Sequence, residues 1–473
     1  MFASLRHALL ATLLSIPAAG IAGDIGAKTS VASTESATSE LEPLDEAESA
    51  GMAARVKVEF LHAWNGYRQY AWGHDALKPL SKAPQDWYGE SLLMTPVDSL
   101  DTMILMGLDE EARQTRELIA TQLSFDKDLD VKHFEIVIRL LGGLLSSYQL
   151  TGDPRLLALA QDLGTRLLPA FDSPTGLPYV NVNLRTGKAQ GDESNPAETG
   201  TLLLEYGTLS RLSGNPVFYE KAKRALVETY QRRSKLDLVG ERIDVGSGQW
   251  TNTSSHMGAR IDSYYEYLWK CWRLFGDEEC LAMWKPSIAA ANRYYADEVD
   301  GTLWFGQVDM HTGKRTGSEY GALDAFLPGL LAYSGDIERA RRLQRSSFEM
   351  WNLHGIEPEA YDYRKRKVTH AGYPLRPEIV ESAWYLYRLT GDARYRTMGK
   401  KMFEDFVRHC RTEAGYAALK DVITKEQKDD MESFVLAETF KYFYLLFAPP
   451  ETLDPQQVVL NTEAHPLKRT WQE

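Results

Sequence analysis

A helix stop followed at once by a helix start occurs six times along this sequence of 473 residues. Each time, a segment with apolar residues at helical spacing ends in glycine, and a new segment begins within two residues. Glycine accepts the left-handed backbone conformation that ends a helix, and Asp or Asn then caps the next helix. The six pairs are Gly107/Asp109, Gly152/Asp153, Gly214/Asn215, Gly276/Asp277, Gly335/Asp336 and Gly391/Asp392. Successive glycines lie 45 to 62 residues apart, and a recurrence of roughly sixty residues indicates a repeat of helix pairs.

The apolar periodicity predicts fourteen helical segments. They span residues 52–73, 95–106, 109–123, 131–150, 153–169, 195–212, 215–232, 255–275, 277–297, 320–333, 336–353, 375–390, 392–411 and 430–446. We predict an all-α fold, a closed (α/α)7 barrel of seven helical hairpins; an open α-solenoid is the alternative with the same repeat. Small β-hairpins are expected in the long loops, at residues 176–188 and 303–314. Long loops on one face of a helical shell are where binding sites usually lie.

The N-terminal residues indicate an export signal. Arg6 precedes the apolar stretch Ala8–Ile16, and small residues follow it. We predict a signal peptide at residues 1–22, a disordered tether at 23–50 because that segment is polar and aperiodic, and a single barrel catalytic domain at 51–473. No later stretch reaches the length of about 18 apolar residues that a membrane span needs. The mature protein is therefore expected to be exported, into the periplasm, the medium or a secretory lumen.

Charge and motif content argue against several classes of protein. The formal net charge is −13, which makes nucleic acid an unfavourable partner. There is no His-Glu-x-x-His zinc helix, no Gly-x-Ser-x-Gly nucleophile turn and no phosphate-binding glycine loop. Among the three cysteines, Cys271 and Cys280 could pair or remain buried thiols, which would leave Cys410 single. We expect a monomer.

Carboxylates occur in helices that are otherwise apolar. Glu135 lies four residues before Arg139 in one of them, and Asp262 lies four residues before Glu266 in another. Glu438 is surrounded by apolar residues in a third. A buried ion pair explains the first pair equally well, and helix capping explains Asp262 equally well. However, burying an unpaired carboxylate costs several kcal/mol in order of magnitude, so a scaffold gains little from repeating it.

A further group of charged residues lies at the N-terminus of the helix predicted over residues 375–390. Arg376, Glu378 and Glu381 are close together there. Acidic residues in a first turn complement the helix dipole, which is the structural alternative. A glycosidase needs a carboxylic acid that protonates the leaving oxygen, a carboxylate that activates water, and others that hold sugar hydroxyls. The carboxylates taken together favour that chemistry.

The C-terminal residues Asn461–Leu467 are polar and turn-like. They could be a frayed end. Alternatively, the hydroxyl and carbonyl oxygens of Thr462, beside acidic residues, could serve a hard cation such as calcium.

Many segments, in order along the chain, resemble the class I α-mannosidases, glycoside hydrolase family 47. The resemblance covers residues 56–467 and is carried by Trp64–Tyr67, Trp72–Asp75, Leu77–Pro79, Asp98–Thr102, Phe134–Leu145, Asp262–Leu268, Leu375–Ser382, Asp429–Thr439 and Asn461–Pro466. It implies an (α/α)7 barrel and an exo-acting, inverting hydrolase that depends on Ca²⁺. The implied reaction removes terminal α-1,2-linked mannose, and the implied partner is a mannose-containing oligosaccharide or N-glycan.

The resemblance also implies roles for individual residues. Glu378 resembles the base that activates water. Glu135 resembles the general acid, with Asp262 as a rival for that role or its partner. Thr462 resembles the threonine that holds calcium. Residues expected to bind the sugar or organise the calcium's waters are Arg139, Glu198, Arg376, Glu381, Phe434, Glu438 and Glu463.

Three positions bear on specificity. Members of the family often show His and Cys where this chain has Ala322 and Ala325, which puts one sugar contact and the family's usual disulfide in question. Arg260 resembles the residue of members selective for one glycan branch. The alternative function is a mannose-glycan-binding, lectin-like protein with weak hydrolase activity.

Overall fold

The computed structural model describes residues 41–470, so the predicted signal peptide and most of the predicted tether lie outside the described residues. This part of the chain contains sixteen α-helices. They are α1 Glu46–Tyr70, α2 Met94–Leu105, α3 Asp109–Gln122, α4 His133–Ile136, α5 Gly142–Thr151, α6 Pro154–Leu167, α7 Pro196–Gly200, α8 Leu203–Ser213, α9 Val217–Gln231, α10 Asp262–Phe275, α11 Glu278–Tyr294, α12 Leu327–Tyr333, α13 Ile337–Asn352, α14 Glu378–Thr390, α15 Arg394–Cys410 and α16 Phe440–Phe447.

Short strands form eight antiparallel sheets of two or three strands each within residues 41–470. They are β1 Ala76–Lys78, β2 Ala83–Gln85, β3 Asp130–Lys132, β4 Asn181–Asn183, β5 Ala189–Gln190, β6 Glu193–Ser194, β7 Arg242–Asp244, β8 Trp250–Asn252, β9 Ser254–Ser255, β10 Ala296–Val299, β11 Thr302–Phe305, β12 Val308–Asp309, β13 Glu319–Gly321, β14 Ala360–Asp362, β15 Lys367–His370, β16 Leu419–Asp421, β17 Glu426–Gln427, β18 Val458–Leu460 and β19 Pro466–Lys468. The hairpin expected at residues 176–188 is present as β4–β5. The prediction of a hairpin at 303–314 is partly wrong, because β11 pairs with the preceding strand β10.

The six helix stops are all present. Every predicted glycine has a positive φ, between 66° and 98°, which a side chain would strain. Five of the six capping residues accept a backbone N–H of the next helix through their side chains: Asp153, Asn215, Asp277, Asp336 and Asp392. Asp109 does not, since it is the first residue of α3 and Leu108 precedes it as an uncapped boundary.

Inner and outer helices alternate along the chain, which confirms the predicted (α/α)7 barrel. The inner segments are α2, α4–α5, α7–α8, α10, α12, α14 and α16, and nearly every residue of α10 and α16 is buried. The outer helices bury one face, as α3 and α13 do. Each glycine junction joins an inner helix to the next outer one, which makes six hairpins. The seventh pair differs from the prediction, because it consists of α1 and α16 from opposite ends of the chain.

Several predicted helix starts are wrong. The helices expected from residues 255 and 320 begin only at Asp262 and Leu327, because strands β9 and β13 occupy part of the preceding chain. The helix α1 begins earlier than expected, at Glu46, where Asp45 and Glu48 form a reciprocal capping box. Part of the predicted tether is therefore helical, and the barrel's first helix extends beyond the expected boundary at residue 51.

The C-terminal hairpin β18–β19 reaches into the barrel and is not frayed. At its tip, the Asn461 side-chain amide donates to the Ile138 carbonyl at 2.9 Å and to the Glu205 carboxyl at 2.7 Å. A side chain at Gly142 would come within 2.7 Å of this amide, so the glycine leaves room for the hairpin. The ring of His465 donates to Asp101 at 2.7 Å. Although burial opposes the charged form, the acidic partners raise the pKa of His465 to about 9.

One disulfide is present among the described residues. It joins Cys271 of α10 to Cys280 of α11, which resolves the alternatives left open above, and Cys410 is a buried free thiol. Within residues 41–470, none of the helices combines the length and the apolarity that crossing a membrane requires.

Candidate active site

A cavity of about 250 Å³ lies at the end of the barrel where the inner helices begin. Helix N-termini carry partial positive charge, so this end favours anionic side chains. Eleven of the twelve candidate residues line the cavity: Glu135, Arg139, Glu198, Arg260, Asp262, Arg376, Glu378, Phe434, Glu438, Thr462 and Glu463. The twelfth, Glu381, lines a smaller pocket that shares Asp262, Glu378, Glu438 and Thr462 with the cavity. The structure therefore brings all twelve together.

Glu135 lies between two cations. Its Oε2 accepts from Arg139 Nε at 3.1 Å, and its Oε1 is 3.7 Å from Lys132 Nζ. Arg139 also pairs with Glu463. The adjoining residues Val137–Leu141 form a single π-helical turn, a local irregularity that often occurs at functional sites. Both carboxylate oxygens of Glu135 are thus close to a cationic side chain.

Asp262 has different surroundings. Its Oδ1 accepts from the backbone N–H of Ser263 at 2.8 Å. Among residues 41–470, no Lys, Arg or His nitrogen forms an ion pair with this carboxyl. Burial, then the negative charges of Glu266 and Asp324, raise the pKa of Asp262 to about 7. Asp262 therefore holds a proton more readily than an ordinary aspartate.

Glu378 begins α14 and is buried at 9% exposure. Its Oε2 has no hydrogen-bond partner among the described residues. Burial raises the pKa of Glu378 to about 8, with Glu359 and Glu381 adding to the effect and Arg376 opposing it. The guanidinium of Arg376 is itself fixed by Glu359, at 2.6 Å from Nη2 to Oε1. Glu378 thus lines the cavity with one carboxyl oxygen buried and without a hydrogen-bond partner among the described residues.

Strained backbone surrounds the cavity. Leu375, Arg260 and Ala464 have φ values of 68°, 76° and 57°, in the left-handed region that non-glycine residues rarely adopt. Arg260 is itself a candidate residue, Leu375 precedes the candidate Arg376, and Ala464 follows the candidate Glu463. Such conformations cost on the order of 1–3 kcal/mol and tend to occur at functional sites, where they aim particular side chains.

Oxygen ligands are concentrated around Thr462. Within the described residues, its hydroxyl and carbonyl oxygens take no part in a hydrogen bond, and its backbone N–H faces the Tyr267 hydroxyl at 3.4 Å. Burial raises the pKa of Glu438 well above its usual value, and the nearby Glu463, Glu378 and Glu381 raise it further. Carboxylates that repel one another beside unpartnered neutral oxygens form a donor set that suits a hard cation.

Two contributors to the site were not predicted. Lys132 contacts both Glu135 and Glu198, and Glu359 holds Arg376. Neither has a signal in the sequence, because their partners lie in other segments of the chain. Ala322 and Ala325, where the chain departs from the family, are fully buried, and neither is among the residues that line the cavity.

A barrel of paired helices, with the carboxyl groups of Glu135, Asp262 and Glu378 lining one cavity, has the architecture of an α/α-barrel glycosidase. The model of glycosyl hydrolase family 47 matches residues 59–469, and the chain belongs to this family. The family resemblance of the sequence is thereby confirmed.

Individual relatives agree with this assignment. The chain is 38% identical to alpha-mannosidase I MNS5 of Arabidopsis thaliana, over 89% of this chain and 78% of the relative. It is 37% identical to mannosyl-oligosaccharide 1,2-alpha-mannosidase MNS1 of the same plant, over 88% and 78%. Among solved structures, the alpha-1,2-mannosidase from Trichoderma reesei matches with a TM-score of 0.81 and 28% identity, over 89% of this chain and 99% of that one.

Proposed function

We propose that the protein is an exo-acting, inverting α-1,2-mannosidase that removes terminal mannose from mannose-rich glycans and requires calcium. The observation that carries the proposal is Glu378, a buried carboxyl whose Oε2 has no hydrogen-bond partner among the described residues and which lines one cavity together with Glu135 and Asp262. The relatives described above carry the names of α-mannosidases and, in two cases, of α-1,2-mannosidases. The exported location and the monomeric state remain predictions.

Glu378 is the proposed base. Its free Oε2 can take a proton from a water molecule while that water attacks the anomeric carbon, and Arg376 stabilises the ionised form. Thr462 would hold a calcium ion, which would supply positive charge beside the carboxylates. The unpartnered oxygens of Thr462 and the surrounding glutamates fit such an ion. Phe434 and Arg139 form a wall of the cavity, with the guanidinium 5.7 Å from the ring centre.

Asp262 is the proposed proton donor. A general acid must carry its proton at working pH. Burial raises the pKa of both Asp262 and Glu378, so we assign the two roles from the neighbouring charges: Arg376 and a calcium ion at Thr462 would favour the ionised Glu378, whereas no Lys or Arg among the described residues forms an ion pair with Asp262. Glu135 is instead held in place by ion pairs with Arg139 and Lys132. Glu135 is therefore assigned to holding the sugar.

The assignment of the proton donor predicts a dependence on the leaving group. Asp262→Asn should lower kcat/KM for α-1,2-mannobiose by about 10²–10⁴-fold, because the departing oxygen is no longer protonated. With 2,4-dinitrophenyl α-mannoside, whose leaving group needs no proton, the loss should fall to less than about tenfold. The matched variant Glu135→Gln should lose activity on both substrates alike. The opposite pattern, with Glu135→Gln rescued by the activated substrate, would give the acid role to Glu135.

The proposed activity itself is tested by following hydrolysis of α-1,2-mannobiose by NMR. We expect β-mannose as the first product, because an inverting site delivers water to the face opposite the leaving group. Mannobioses with α-1,3 or α-1,6 linkages serve as controls and should be cleaved much more slowly. Appearance of α-mannose first, or a covalent glycosyl-enzyme, would contradict inversion. Binding without turnover would favour the lectin-like alternative.

A further inference from the structure

We propose that Lys132 is a positioning residue of this site, which holds Glu135 and Glu198 in a single arc of charges across the cavity mouth. The effect of Lys132 on catalysis rests on the proposed function, whereas its effect on the positions of the two carboxylates does not. The two carboxylates come from different inner segments of the barrel, α4–α5 and α7–α8. The position of one relative to the other therefore depends on contacts between side chains.

The contacts form a continuous chain. Lys132 Nζ is 2.9 Å from Glu198 Oε1 and 3.7 Å from Glu135 Oε1. The remaining oxygen of each carboxylate is held by another group, Glu135 Oε2 by Arg139 at 3.1 Å and Glu198 Oε2 by the Ser194 hydroxyl at 3.0 Å. Lys132 joins the Arg139–Glu135 contact to the Glu198–Ser194 contact.

The backbone of Lys132 is fixed. It is the last residue of β3, which pairs with β4, so its Cα lies opposite that of Asn181. Its N–H points to the hydroxyl of Tyr88 at 3.3 Å. The side chain, 38% exposed, extends from this anchor to the cavity, with Nζ 5.9 Å from the ring centre of Phe134. The ammonium is thus delivered from a rigid strand.

The electrostatics require a cation at this point. Partial burial opposes the ammonium, but Glu198 and Glu135 raise the pKa of Lys132 above its ordinary value. Without the ammonium, two carboxylates would face each other across the mouth, and like charges at short range either separate or take up a proton. Because the Lys132 side chain is 38% exposed, solvent screens its ion pairs, and the role of Lys132 lies in placement more than in folding.

The test compares three variants of the full chain. Lys132→Met keeps most of the stem and removes the charge, Lys132→Arg keeps the charge, and Lys127→Met removes a similar ion pair, with Glu90 at 3.2 Å, away from the cavity. We expect Lys132→Met to lower kcat/KM for α-1,2-mannobiose by about 10- to 100-fold, since small misplacements of substrate-holding groups have effects of this size. The acidic limb of its pH profile should move to higher pH, because both carboxylates lose their counter-ion. Lys132→Arg should restore most of the activity, and Lys127→Met should match the wild type.

A wild-type rate and pH profile for Lys132→Met would overturn the proposal, and so would a loss explained by a lower melting temperature with an unchanged profile. A crystal structure of Lys132→Met provides a readout that needs no turnover. We expect the carboxylate of Glu135 or Glu198 to leave its present position. If neither carboxylate moves, the positioning role is overturned. Failure of the wild type to cleave mannobiose would instead refute the proposed function and leave this structural test in force.

Discussion

The Glu378→Gln enzyme is expected to turn over α-1,2-mannobiose about 10²–10⁴-fold more slowly than the wild type. An amide has the shape of the carboxylate but cannot take a proton from water. Since the side chain is buried at the start of α14 and the amide is neutral, the fold and the sugar affinity should be retained. The rate is measured by release of mannose, and the affinity by calorimetry with the same disaccharide.

The control for this variant is Glu349→Gln, on the outer helix α13, where the carboxylate pairs with Arg345 at 3.4 Å. It should keep full activity. Equal rates for Glu378→Gln and the wild type would remove Glu378 from the role of base. A rate lost together with the melting transition would show a structural role instead.

Removal of divalent cations is expected to abolish hydrolysis, and calcium, but not zinc, should restore it. Oxygen ligands favour a hard cation, and the unpartnered oxygens of Thr462 lie among carboxyls that repel one another. The experiment is dialysis against a chelator, elemental analysis of the protein, and back-titration with each metal while mannose release is followed.

Thr462→Val tests the site of that ion, because it removes the hydroxyl and retains the shape of the side chain. We expect weaker calcium binding and correspondingly lower activity at limiting calcium. The control is Thr424→Val, at an exposed residue in the turn between β16 and β17. This variant should bind calcium as the wild type does. Full activity after exhaustive chelation, with no metal found, would refute the calcium requirement.

Helix ends were predictable from the sequence, and helix beginnings were less so. A glycine such as Gly276 ends a helix through its own backbone, a property that needs no partner elsewhere in the chain. The start of α10 at Asp262 depends on β9 pairing with β12, and this pairing cannot be read from local periodicity. At Glu46 the signal was local and available, since an acidic residue three positions after Asp45 marks a capping box.

The candidate residues were predictable where a carboxylate interrupted an apolar helix or matched a family segment. Lys132 and Glu359 were not, because each is recognised only by what it contacts in space. The C-terminal hairpin shows the same limit. Its polar residues look like a frayed end until their partners are known, and those partners, such as Asp101, lie more than 300 residues away.

The pairing of α1 with α16 has a consequence for how the protein reaches its native state. The other six helix pairs join segments adjacent in sequence, so each can form as soon as it leaves the ribosome. About 370 residues separate Tyr70 from Phe440. At about 5–20 residues per second, roughly 20–75 s pass between the synthesis of α1 and that of α16, whose Phe440 packs against Phe60 of α1. Closure of the helical ring therefore cannot precede the synthesis of α16, and insertion of the hairpin β18–β19 into the barrel comes later still.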